Sequence, residues 1–149
     1  MKRTLIATVF AVFSSQALAG TPIDAVQFFY NDPGEELNMA NINRFTGAAK
    51  AMLEAADKTT DSTDGPCIDF MLSVDGQDFD EQELKKTLDI TEAKAGDQAT
   101  VVAKFVSFET PMEVTWSLEQ IDGDWKVSDI ASKTGEWTLS KFECGPIAQ

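Results

Sequence analysis

The feature that most constrains the fold is a change of hydrophobic period along the chain. Up to about residue 59 the apolar residues recur at helical spacing; from about residue 88 onward they alternate. Thr21-Pro22-Ile23-Asp24 reads as a helix start, with Thr21 as cap, Pro22 at the first helical position and Asp24 completing a capping box. Ile23, Val26, Phe29 and Tyr30 then share one face, and Asn31-Asp32-Pro33-Gly34 supplies stop chemistry. A second helical region is predicted over 37–59, where Phe45, Ala48, Ala49, Met52, Leu53 and Ala56 form a stripe. Its start is blurred by Asn38, Asn41 and Asn43, which are poor helix formers. Residues 59–66 are polar and turn-rich and read as an exposed loop.

A short strand is predicted over 68–74, an acidic turn-rich stretch opening a short helix over 75–83, and strands over 88–93, 99–108, 112–121 and 125–130. Ala95-Gly96-Asp97 is a turn, Glu109-Thr110-Pro111 a break, and Asp122-Gly123-Asp124 a hairpin turn of the Asp-Gly kind. Helices followed by an antiparallel run of strands specify an α+β domain, with N-terminal helices packed on one face of a sheet. No repeat and no long linker divides it.

The first residues carry a different signal. Met1-Lys2-Arg3 is basic, 4–13 is apolar, and 14–19 ends in small-x-small at Ala17-Leu18-Ala19. That order is the pattern of a cleaved secretory signal. The apolar run is shorter than the roughly 20 residues that span a bilayer. The reading is therefore a signal peptide at 1–19, cleavage between Ala19 and Gly20, and a single domain at 20–149, periplasmic or secreted.

Beyond Ala19 the chain holds 10 basic against 25 acidic residues. So acidic a balance repels phosphate backbones and anionic lipid, which argues against nucleic acid and membrane surfaces as partners and for a basic protein or a cation. The two cysteines, Cys67 and Cys144, are an even pair in a chain read as exported, and a disulfide is expected. It would stabilise by roughly 4 kcal/mol in the chain-entropy model. Two buried thiols, or a metal pair with further ligands, are the alternatives.

The chain has no histidine, which excludes Ser–His and Cys–His nucleophiles and any imidazole metal site. Asp75, Asp78, Asp80, Glu81 and Glu83 crowd together, but the EF-hand spacing fails: counted from Asp78, the sixth position is Glu83 and not Gly. A solvated acidic turn is the plainer reading, with calcium binding through residues 75–83 as a weaker alternative; no other metal and no cofactor is expected. Asp69, flanked by Ile68 and Phe70 next to Cys67, is a candidate for a pocket, as are Gln77 and Asp78. Tyr30 is the only tyrosine, and Trp116, Trp125 and Trp137 could line an apolar pocket or simply pack.

Helix, helix, short strand and antiparallel meander, in that order, resemble the nuclear-transport-factor-2-like superfamily, a cone-shaped α+β fold. Three stretches resemble one bacterial branch of it, domain of unknown function 3828. They are Ile68-Asp69-Phe70, Gly76-Gln77-Asp78-Phe79, and Gly123-Asp124-Trp125-Lys126-Val127-Ser128-Asp129-Ile130. The chain departs from that pattern at Met71-Leu72, where an acidic residue and a proline are expected. The resemblance implies the fold and leaves the activity open, because this scaffold hosts enzymes and binders alike. In its steroid-isomerase members a tyrosine and a carboxylic acid donate hydrogen bonds to an oxyanion. Tyr30 with Asp69 or Asp78 would be the analogue.

Two functions follow as expectations. The first is a non-enzymatic exported domain that binds a ligand or an envelope protein, a class that includes immunity-type neutralisation of a basic effector. The second is a small isomerase or hydratase using a cavity tyrosine and a carboxylate. A homodimer through the open face of the sheet is compatible with either.

Overall fold

The computed structural model describes residues 20–59 and 65–144. The expected signal peptide at 1–19, most of the 59–66 loop and residues 145–149 lie outside the described residues. Helix α1 (Pro22–Asn31) begins as its sequence dictates. The Thr21 hydroxyl accepts from Asp24 N–H at 3.1 Å, and the Asp24 carboxylate accepts from Thr21 N–H at 2.7 Å. Hydrogen bonding from the Thr21 backbone N–H, and next from the Thr21 side chain, lowers the Asp24 carboxyl from its ordinary value.

The second helix is shorter than its stripe suggests. Two 3₁₀ turns, Glu35–Leu37 and Met39–Arg44, precede helix α2 (Gly47–Thr59). The asparagines explain the difference: Asn38 caps the second turn by accepting from Ala40 N–H, and the Asn41 amide donates to Glu35. Phe45 then forms a lone parallel bridge with Val127 before α2 begins. The predicted strand over 68–74 is instead a series of turns closed by one bridge, Met71 to Gly76. Helix α3 (Glu81–Thr87) follows, capped by Asp80.

Five strands form one antiparallel sheet in chain order: β1 (Asp89–Ala95), β2 (Gln98–Ser107), β3 (Thr110–Ile121), β4 (Asp124–Ser132) and β5 (Trp137–Thr138). β5 lay outside the sequence reading. β1–β2, β2–β3 and β3–β4 are joined by two-residue loops, Gly96-Asp97, Phe108-Glu109 and Asp122-Gly123. Such loops match strand twist with φ above zero, and both Asp122 and Gly123 are positive, at 53° and 89°. The break predicted at Glu109-Thr110-Pro111 is therefore one residue late: Phe108 and Glu109 turn, and Pro111 already pairs with Val106 in the ladder. A register shift at Ser117/Leu118 against β4 curves the sheet.

One face of the sheet carries Val101, Ala103, Phe105, Val114, Trp116, Leu118, Val127 and Ile130, all buried under the helices. Phe29 of α1 stacks on Trp116 with centroids 5.3 Å apart. Phe45 packs beside Phe29, which explains why the chain pauses there before α2. Truncating a fully buried aromatic such as Trp116 to Ala would cost about 3–5 kcal/mol. The fold is α+β with helices on one face, as expected.

Candidate functional site

Cys67 and Cys144 form the expected disulfide, with Cα atoms 5.5 Å apart. It fastens the turn region after α2 to the end of the chain. Phe70, Trp137 and Phe142 make an aromatic cluster in which Phe70 meets the other two edge-on. A polar clamp joins the same two regions. The Asp75 carboxylate accepts from Trp137 Nε1 and from Ser132 Oγ, and Ser132 Oγ in turn accepts from Gly135 N–H at 2.8 Å. Asp75 sits in the left-handed region at φ 53° to reach them.

Tyr30 is in the core. It is 6 % exposed, and its hydroxyl accepts from Trp116 Nε1 at 3.3 Å. Burial drives its ionisation far above the usual tyrosine range, opposed by the Trp116 bond and reinforced by the charge of Glu36. Asp69, Gln77 and Asp78 are exposed. Gln77 Nε2 donates to Asp69 Oδ2 at 3.1 Å, and Asp78 accepts from Phe79 N–H. Two of the four candidates thus meet each other at the surface, while Tyr30 lies apart from them, hydrogen-bonded to Trp116. The tyrosine–carboxylate pair with Asp69 or Asp78 is not assembled, because helix packing drew Tyr30 inward and the turn after Cys67 turned Asp69 outward.

The acid that does approach Tyr30 is Glu36, which the sequence reading missed. Its side chain is 1 % exposed. Oε1 accepts from Ser73 N–H at 2.9 Å and Ser73 Oγ at 3.1 Å, and Oε2 accepts from Gly34 N–H at 3.0 Å. Burial pushes its carboxyl above the ordinary value, and these donors pull partly back. No Lys or Arg pairs with it among the described residues. Glu36 therefore satisfies Ser73 N–H, a backbone donor that a strand over 68–74 would have satisfied by pairing. Glu35-Glu36 in sequence looks like a solvated acidic turn, so no periodic signal marks it.

The acidic stretch 75–83 is dispersed into separate duties. Asp75 clamps Trp137, Asp80 caps α3, and Glu83 accepts from Glu109 N–H at 3.1 Å. Among the described residues no three Asp, Glu, Cys or His side chains converge as a metal site.

Two open grooves lie elsewhere. One, of about 560 Å³, runs beside the β2–β3 hairpin and is lined by Lys104, Phe105, Pro111, Met112, Glu113 and Lys133. Glu113 lies between Lys104 and Lys133, at 3.7 and 3.6 Å. The other, of about 450 Å³, includes Asp24, Arg44, Trp125 and Lys126. None of Tyr30, Asp69, Gln77 or Asp78 lines either groove. Trp116 is wholly buried, and Trp137 is occupied by Asp75 and its aromatic neighbours. No described helix is long and apolar enough to cross a membrane.

The fold places the chain among small α+β domains with a five-stranded antiparallel meander. A search of solved structures finds it similar to a chain of the type VI native effector–immunity complex Tae3–Tai3 from Ralstonia pickettii. The TM-score is 0.51 at 22% identity over 73% of this chain and 91% of that one. A chain of the selenomethionine form of that complex matches with TM-score 0.54 at 20% identity, over 76% of this chain and 97% of the other. This likeness is one of fold. No family model matches the sequence, and no curated protein matches it. The resemblance to domain of unknown function 3828 accordingly rests on the three stretches quoted above.

Proposed function

We propose that this chain is a protein-binding module of the immunity kind, exported and processed before Gly20, which neutralises a basic protein by covering it. The observation that carries this reading is the charge. From Gly20 onward acidic residues outnumber basic ones by 25 to 10, on a domain whose fold is also that of a chain in an effector–immunity complex. Acidic surfaces speed association with basic partners and fix their orientation. The placement of Tyr30 agrees with it: the tyrosine offered as the isomerase analogue is buried and bonded to Trp116. The disulfide supports an oxidising compartment, as does the leader pattern at 1–19. The finer affiliation, a cone of the nuclear-transport-factor-2-like kind, fits the order of helices and strands and belongs to the same proposal.

The test uses the gene next to the one encoding this chain. Its purified product, titrated with residues 20–149 in a calorimeter, is expected to bind tightly, with affinity falling as salt rises. Exporting that product to the periplasm is expected to slow growth, and co-expressing this chain to restore it. A neighbour product that neither binds nor harms would reject the reading.

A further inference from the structure

We infer that the tip of the β2–β3 hairpin, Phe108 with Glu109, is the anchor by which the chain seats itself on its partner: Phe108 enters an apolar pocket rimmed by positive charge on a basic protein. The inference rests on the protein-binding reading above and names the surface that performs it.

Three observations converge. Phe108 is 57 % exposed and is the one large hydrophobic left exposed among the described residues. It also stands where an aromatic residue is costly. Phe108 has φ 49° and Glu109 φ 63°, both in the left-handed region. The matching loops elsewhere in the sheet put Gly96-Asp97 and Asp122-Gly123 in this role. A bulky side chain with positive φ is an outlier that persists only when its surroundings hold it. Core packing does not explain Phe108 here, since more than half of its surface is exposed.

The surroundings do hold it. Asp80 N–H donates to Ser107 Oγ at 3.3 Å, Val106 N–H to Thr87 Oγ1 at 2.8 Å, and Glu109 N–H to Glu83 Oε2 at 3.1 Å. Helix α3 thus continues the support that β1 gives β2 farther along and braces the tip on one side. A rigid exposed aromatic loses little freedom on binding, which is what an interface hot spot needs.

The charge of the domain selects the partner. At the tip, Asp80 and Glu83 stand on its α3 side, and Glu109 lies in the turn itself. Against them stand Lys85, already paired with Glu81, and Lys86. On the other flank Lys104 and Lys133 share Glu113. The rim alone is close to balanced, so the choice of partner comes from the whole domain: with 25 acidic against 10 basic residues beyond Ala19, it is repelled by an anionic lipid surface and drawn to a basic protein.

The experiment compares the wild-type chain with Phe108→Asn and Phe108→Trp, using the purified product of the neighbouring gene as probe. Asn accepts the left-handed conformation and removes the ring; Trp keeps an aromatic anchor. Phe108→Asn is expected to weaken binding at least ~30-fold. It is also expected to raise the melting temperature by about 3 °C, as the strain is relieved. Phe108→Trp is expected to keep binding within a few-fold of wild type. Equal affinity for wild type and Phe108→Asn would overturn the anchor while leaving the protein-binding reading intact. A lower melting temperature for Phe108→Asn would also overturn it, by showing that the ring packs. So would a Phe108-dependent attachment to phosphatidylglycerol vesicles with the protein complex unaffected. A wild-type chain that ignores the probe rejects the protein-binding reading itself, and the anchor with it.

Discussion

Replacing Glu36 by Gln tests whether a buried carboxyl sets part of the pH dependence of this fold. Gln keeps an oxygen where Oε1 receives Ser73 N–H and Ser73 Oγ. It turns an NH₂ toward Gly34 N–H, which then loses its acceptor. One orphaned donor in a partly buried turn costs about 1–2 kcal/mol. That is the penalty expected under acidic conditions, where the native carboxyl is protonated. With rising pH the comparison changes. Burial raises the folded-state carboxyl above its ordinary value of 4.5, so across the window above 4.5 the folded chain binds more protons than the unfolded one. Wild-type stability from this group therefore falls as pH climbs, whereas Glu36→Gln has nothing there to titrate. The gap between the two proteins should narrow, and the variant should overtake wild type if the unpaired charge costs more than one hydrogen bond. Urea unfolding of both proteins at about pH 5 and about pH 8 measures the gap. The other carboxylates are common to both and cancel in the difference. A gap that stays constant would mean that Glu36 titrates alike folded and unfolded, and the burial argument would be refuted.

Other outcomes follow from the same structure. Replacing Cys67 and Cys144 together by Ser opens a loop with sequence separation 77 and is expected to lower unfolding stability by about 4 kcal/mol, read as a lower urea midpoint. Gly135→Ala would place a methyl 2.5 Å from Asp75 Oδ2 and 2.7 Å from Trp137 Cδ1. The clamp must shift, with about 1–3 kcal/mol lost and a change in tryptophan fluorescence as Trp137 leaves its carboxylate. Calcium titrated into the protein is expected to release no heat and leave the melting temperature unchanged, because the 75–83 carboxylates are engaged separately; saturable heat would reverse that reading.

Much of the fold was legible because local chemistry and global packing agree. The Thr21-x-x-Asp24 box, the Ala49/Leu53/Ala56 stripe and the Asp122-Gly123 turn each state their structure in a few residues, and each is found there. The failures share a cause. Residues 68–74 look like a strand because they are apolar, but burial arises there from packing under Trp137 and the disulfide, and Glu36 supplies the missing partner from a distance. A side chain acting 37 residues away leaves no periodic trace. Phe108-Glu109 was read past for the opposite reason: its conformation calls for Asn or Gly, and the residues present conceal the turn. The candidate site was half legible. Composition identified the acidic character and the cysteine pair, while the choice among so many carboxylates depends on which ones the turns face outward.

The order of the sheet bears on how fast the molecule can form. Every strand pairs with its neighbour in the chain, so three tight hairpins can zip in succession with small loop-closure cost. Topologies dominated by such near-neighbour contacts fold quickly for a β-rich domain. The long-range closures are of another kind: α1 onto Trp116, Phe45 onto Val127, and Cys67 onto Cys144. The last of these cannot form until Cys144 has been made, at a sequence separation of 77 from Cys67. The meander is thus in a position to assemble first and serve as a template, with the covalent link fixing an arrangement that the sheet and helices have already reached. Refolding under reducing and oxidising conditions should accordingly share a fast phase and differ only in how long the product survives.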